Sequence, residues 1–119
     1  MRTLFYVIFA FILLTSCGSN NEVTVGTFNI AWLGDGIDDK SPRSNEDIKN
    51  IGEVISTLEA DVLALQEIEN LQSIKNIVDT NKYSIITVSY PKEQKTALII
   101  SKQIEIIDIY QIDAIALGN

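Results

Sequence analysis

Val23-Thr24-Val25-Gly26-Thr27-Phe28-Asn29-Ile30 and Asp61-Val62-Leu63-Ala64-Leu65-Gln66 decide the fold, together with what lies between them. The first stretch alternates and is rich in β-branched side chains, which predicts a strand. The second is a short apolar run whose length predicts a buried strand. Between them, Ala31 to Arg43 reads as a loop punctuated by Gly34, Asp35, Gly36, Asp38, Asp39 and Pro42. Ser44 then opens a helix, with Asp47 completing a weak version of the capping box. Ile48, Ile51, Val54, Ile55 and Leu58 recur at helical spacing, while Glu46, Lys49, Glu53 and Glu59 lie largely opposite. Strand, helix and strand make a right-handed βαβ unit, so the two strands are expected to run parallel.

Downstream, Asn70 is placed to cap a second helix with Leu71, Ile74, Ile77 and Val78 as its apolar face, ended by Asp79, Thr80 and Asn81. Tyr83 to Tyr90 reads as a strand, Pro91 to Gln94 as a turn and Lys95 to Ser101 as another strand. Ile104 to Tyr110 reads as a third, hairpin-paired with its predecessor. These later strands are expected to be antiparallel. The predicted class is α/β: a mixed sheet covered by helices on one face.

Composition narrows the chemistry. The chain has 119 residues, 16 acidic and 9 basic, for a net charge of −7, with one Cys and no His. One Cys makes no internal disulfide and no multi-Cys zinc site. Without His there is no Ser-His or Cys-His pair and no imidazole ligand or base. The acidic balance speaks against non-specific nucleic-acid binding through a broad basic surface. Carboxylates, amides and hydroxyls remain, a donor set that suits hard cations.

The first residues read as an export signal. Arg2 supplies a positive start, Leu4 to Leu14 is an uninterrupted apolar run, and Thr15 and Ser16 are small. The run is shorter than the ~20 residues a membrane span needs. Leu14-Thr15-Ser16-Cys17 resembles the bacterial lipoprotein signal, which implies that residues 1–16 are removed and that Cys17 is acylated as the new N-terminus. Residues 17–22 then form the lipidated start and tether, and the fold begins at residue 23. The alternative is an ordinary signal peptide with a chance Cys.

Asn29 falls at the end of the first strand and Glu67 at the end of the second. In a parallel pair both emerge at the carboxyl edge of the sheet, where α/β proteins place ligands. A carboxylate and an amide oxygen converging there suit a hard cation. A cap or solvated turn residue is the plainer alternative at each position.

Thr27-Phe28-Asn29-Ile30-Ala31-Trp32-Leu33-Gly34, the capped helix, and Asp61-Val62-Leu63-Ala64-Leu65-Gln66-Glu67-Ile68-Glu69-Asn70 together resemble the start of the endonuclease/exonuclease/phosphatase superfamily. Lys95-Thr96-Ala97-Leu98-Ile99-Ile100 also resembles that family's next core strand, so the match runs over residues 23–110. The resemblance implies that residues 23–119 are the N-terminal half of a four-layer α/β sandwich. It implies a divalent metal, Mg²⁺ first with Mn²⁺ and Ca²⁺ as alternatives, held by Glu67 with Asn29 as its partner at metal and phosphate. Trp32, Glu69 and Asn70 become candidate substrate contacts. For Trp32 the alternative is packing on the sheet, and for Glu69 and Asn70 a helix start. Gln66, expected to face opposite to Glu67, is assigned a structural hydrogen bond. Asp35, Asp38 and Asp39 lack calcium-loop spacing and read as a solvated loop. Lys92 and Lys95 are candidate phosphate contacts, with a solvated turn as the plainer reading.

The chain departs from the family in having no His, and its Asp-x-Asn after residue 70, Asp79-Thr80-Asn81, is read as a helix end. It is therefore expected to be either the front piece of a longer protein or a truncated reading frame. The piece is favoured because Ala114-Ile115-Ala116-Leu117 has nothing to pack on. The expected function is that of an exported, membrane-anchored, metal-dependent phosphodiesterase of endonuclease type, carrying the first half of an active site and inactive alone. A phosphomonoesterase or phospholipase-type relative, or a non-catalytic lipoprotein binding module, is the alternative. Nucleic acid or another phosphate ester is the expected substrate, the membrane is reached through Cys17, and no protein partner is indicated.

Overall fold

The computed structural model describes residues 22–87 and 93–112. The leader, Cys17, Lys92 and Ala114 to Leu117 lie outside them. The elements are β1 (Val25–Leu33), α1 (Asn45–Leu58), β2 (Val62–Ile68), α2 (Leu71–Lys75), β3 (Tyr83–Thr87) and β4 (Lys95–Ser101). They build a small α/β domain with one mixed four-stranded sheet in the order β1-β2-β4-β3. β1 and β2 run parallel, while β4 is antiparallel to both its neighbours. Asp61 ties the start of this sheet together. Its backbone N–H donates to the Thr24 carbonyl, its carboxylate accepts from Thr24 N–H, and its carbonyl accepts from Ser101 N–H.

Both helices lie on one face. Leu63, Leu65, Ala97, Ile99 and Tyr83 project from the sheet into a single core with Ile55 of α1 and with Ile74, Ile77 and Val78 around α2. Phe28, Ile48, Ile51 and Ile85 complete it. On the other face the pleat and register align Val25, Thr27 and Asn29 with Val62, Ala64 and Gln66, and Val62 and Ala64 in turn with Ile100 and Leu98. Val25 is 70% exposed and Leu98 39% exposed. Among the described residues, no helix or strand covers that face.

α1 starts as the sequence requires. The Ser44 hydroxyl accepts from Asp47 N–H at 3.1 Å and donates to the Asp47 carboxylate at 2.7 Å, and Ser44 N–H donates to the same carboxylate at 3.1 Å. This reciprocal box satisfies donors that the first turn leaves open. α2 is capped by Asn70, which accepts from Ser73 N–H. It ends at Lys75, so Ile77 and Val78 reach the core from the turn that follows and not from a helical face.

Two elements differ from expectation. β1 continues through Ala31 and Trp32 to Leu33, which is wholly buried and pairs with Ile68. The stretch from Ile104 to Tyr110 forms no strand, and Ile107, Ile109 and Tyr110 are exposed. The reason is topological. β4, the expected hairpin partner, already has β2 along one edge and β3 along the other.

Leu65 is fully buried at the centre of the core. Leu65→Ala is expected to lower the unfolding free energy by about 2–5 kcal/mol, read from urea melts; a change under about 1 kcal/mol would refute this core assignment. The capping box gives a pH signature. The Ser44 hydroxyl, then the Ser44 N–H, hold the Asp47 carboxyl below its ordinary value, with the Arg43 charge adding. A carboxyl whose pKa is lowered by folding contributes stability that is complete above the unfolded value, about 3.9. That contribution is lost as pH falls through the lowered value. The stability gap between wild type and Asp47→Asn should therefore close as pH is lowered through that window; a gap that stays constant would disprove it.

Candidate functional site

The carboxyl ends of β1 and β2 do not pair regularly. Asn29 is opposite Gln66 and Leu33 opposite Ile68, so Ile30, Ala31 and Trp32 stand against Glu67 alone. On the other side, Gln66 and Glu67 stand against Thr96 between the pairs Leu65–Ala97 and Ile68–Lys95. Extra residues of this kind make bulges. Here they are left-handed, with φ of 54° at Ala31, 69° at Trp32 and 61° at Glu67. For residues with a Cβ this conformation costs about 1–2 kcal/mol each.

The bulge redirects side chains. Leu65 and Ile68 are both buried in the core, so the two residues between them turn away from it together. Gln66 donates to the Thr27 hydroxyl, and Glu67 accepts from Asn29. The expectation that Gln66 and Glu67 face opposite ways is thereby corrected, because strict alternation fails at the left-handed residue. The structural hydrogen bond expected of Gln66 is present.

Asn29 and Glu67 do meet. Asn29 Nδ2 donates to Glu67 Oε1 at 2.8 Å, and Asn29 Oδ1 accepts from Ala31 N–H at 2.8 Å. A backbone N–H can only donate, which fixes Oδ1 as the acceptor and turns the amide donor toward the carboxylate. The pair is therefore donor to acceptor, where the sequence suggested two oxygens converging. Gln94 Nε2 donates to Glu67 Oε2 at 3.3 Å. Among the described residues, no Lys or Arg forms an ion pair with Glu67. A half-buried carboxylate is thus held by two neutral amides.

Arg43 holds the β1 bulge from behind. Its Nη2 donates to the carbonyls of Ile30 and Ala31, the latter at 2.7 Å, and its Nε to the Trp32 carbonyl at 3.2 Å. Successive left-handed residues point these carbonyls to one side, and the guanidinium's fixed fork collects them. Nothing in the sequence marks Arg43 for this role, because a single Arg at the end of a loop carries no periodic signal.

Trp32, Glu69 and Asn70 line one groove of about 410 Å³ with Lys40 and Lys95. Trp32 is half-buried, and the Lys40 ammonium lies 5.1 Å from its ring centre. Lys95 Nζ donates to the Glu69 carbonyl at 2.7 Å. Asn70 is both a helix cap and a donor to Asp35, at 2.9 Å. Asp35, Asp39 and Glu69 bring carboxylate oxygens within 4.8 Å of one another, a grouping that could hold a cation. Loop donors already engage it: Glu69 accepts from Asp35 N–H and Asp39 from Gly36 N–H. A Cβ at Gly34 would lie 2.2 Å from the Asp39 carboxyl carbon, so the cluster closes only around a glycine. The sequence showed two of these acids in a polar loop and gave no sign that Glu69 joins them.

No family model, no curated protein and no solved structure matches this chain. The site therefore rests on its own geometry. Glu67→Gly and Glu67→Ala both remove the carboxylate, and only the first relieves the left-handed backbone. Glu67→Gly should be more stable than Glu67→Ala by about 1 kcal/mol in thermal or urea unfolding. Equal stabilities would show that the φ at Glu67 carries no strain.

Proposed function

We propose that this chain is the front part of an exported, lipid-anchored, divalent-metal-dependent phosphodiesterase of endonuclease type. One observation supports it above the rest: Glu67, at the carboxyl end of two parallel strands, is aimed by a bulge and has no cationic partner among the described residues. Carboxylate oxygens are preferred ligands of Mg²⁺, and an acid held only by neutral donors keeps the charge a cation needs. Mg²⁺ keeps several waters and is held by as few as one or two carboxylates, so a single outward carboxylate is compatible with it.

Glu67 would hold the ion, and Asn29 would set the angle of that carboxylate through its amide N–H. Bound there, the metal would polarise a phosphoryl oxygen and stabilise the leaving oxygen. The groove bordered by Trp32, Glu69 and Asn70 would receive the rest of a nucleic-acid substrate, with Lys95 at its edge. The apolar sheet face left open by α1 and α2 is consistent with a second sheet in a four-layer sandwich. Cys17 is the proposed lipid attachment point. The 119 residues contain no His to serve as a base in such a site.

Mn²⁺ titrated into the ¹⁵N-labelled full chain should broaden the Asn29 side-chain amide and the Glu67 backbone signal. Chelator should reverse the effect, and Glu67→Gln should abolish it. Broadening confined to Asp35, Asp39 and Glu69 would put the cation in the loop cluster and overturn the proposal. In a plasmid-nicking assay the chain alone should show negligible activity; robust, chelator-sensitive cleavage lost in Glu67→Ala would contradict the half-site.

A further inference from the structure

We infer that Arg43 is a positioning residue for Glu67, acting through the Ile30–Ala31 peptide and the Asn29 side chain. This rests on the proposed role of Glu67. The Ile30 carbonyl and the Ala31 N–H are two ends of one planar unit. Arg43 grips the first, and the second donates to Asn29 Oδ1 at 2.8 Å. Asn29 then donates to Glu67 Oε1 at 2.8 Å. A continuous run of hydrogen bonds thus leads from a guanidinium to a carboxylate with no ion pair between them. Each bond polarises the next, so the cation strengthens the final N–H donor.

The geometry also explains why Arg stands here. Ala31 and Trp32 are left-handed, so the peptide planes of the bulge have no regular ladder to hold them. Three donors of one rigid group fix three successive carbonyls. Lys offers the same charge as a single point and would grip fewer. Arg43 is itself anchored, because Ser44, the next residue, is the cap of α1. The start of a helix on one side of the sheet is thereby connected to the carboxylate at its edge.

The test uses the ¹⁵N-labelled full chain carrying Arg43→Met or Arg43→Lys, first without metal. In Arg43→Met the Asn29 side-chain amide should move to the position of a free amide and the Ala31 N–H should lose exchange protection. Leu65 and Ile99 amides should stay protected. Arg43→Lys should restore these signals in part, and it serves as the readout if Arg43→Met does not fold. Mn²⁺ affinity at Glu67 should fall about 10–100-fold in Arg43→Met, the usual effect of losing a partner behind a metal ligand. A folded variant with the Asn29 and Ala31 signals unchanged would overturn the inference. Absence of Mn²⁺ binding in the wild type would instead overturn the role of Glu67, while the metal-free signals still decide the role of Arg43.

Discussion

Between Asn29–Gln66 and Leu33–Ile68, β1 places Ile30, Ala31 and Trp32 where β2 places Glu67 alone, and the rest of the molecule depends on that mismatch. Regular pairing would put Glu67 on the same face as Leu63 and Leu65, in the core. An unpaired carboxylate there would cost several kcal/mol. The bulge turns Glu67 outward and returns Ile68 and Leu33 to the interior, both almost wholly buried. Burial of these two apolar side chains contributes about 1.5–3 kcal/mol each. That is comparable to the strain of the left-handed residues, so the irregular strand ends can persist in a folded chain.

Much of this was legible in the sequence, and the part that was not has a physical reason. Alternation in Val23 to Ile30 and the apolar run at Asp61 to Gln66 place the two parallel strands, because periodicity reports which face is buried. The capping signal at Ser44 marks the helix between them to the residue. Asn29 and Glu67 were singled out because strand ends converge, and in the structure they touch. Left-handed φ at Ala31, Trp32 and Glu67 has no compositional marker, since none of the three is Gly or Asn. The fate of Ile104 to Tyr110 was equally hidden. Its β-branched residues satisfy strand propensity, but its expected partner β4 is paired on both sides, and that depends on the order of the whole sheet.

The site also shows how charge is arranged without ion pairing. Arg43, Glu67, Glu69 and Lys95 all lie near the strand ends, yet the cations bond to backbone carbonyls and the carboxylates to amide or backbone donors. Dipoles of the chain stand between opposite charges. Such an arrangement holds each group at fixed geometry without neutralising it, which suits acids that are to meet a cation from outside.

The bulge has one more consequence, for contacts between molecules. Among the described residues β1 is an edge strand, and its outer rim offers backbone groups that another chain could extend. At Ala31 and Trp32 that rim stops being flat, and Arg43 occupies the carbonyls of Ile30 to Trp32. A foreign strand could add in regular register only along Val25 to Asn29, the stretch before the irregularity. The feature that aims the acidic side chain thus also limits how far this edge of the sheet can be extended by another strand.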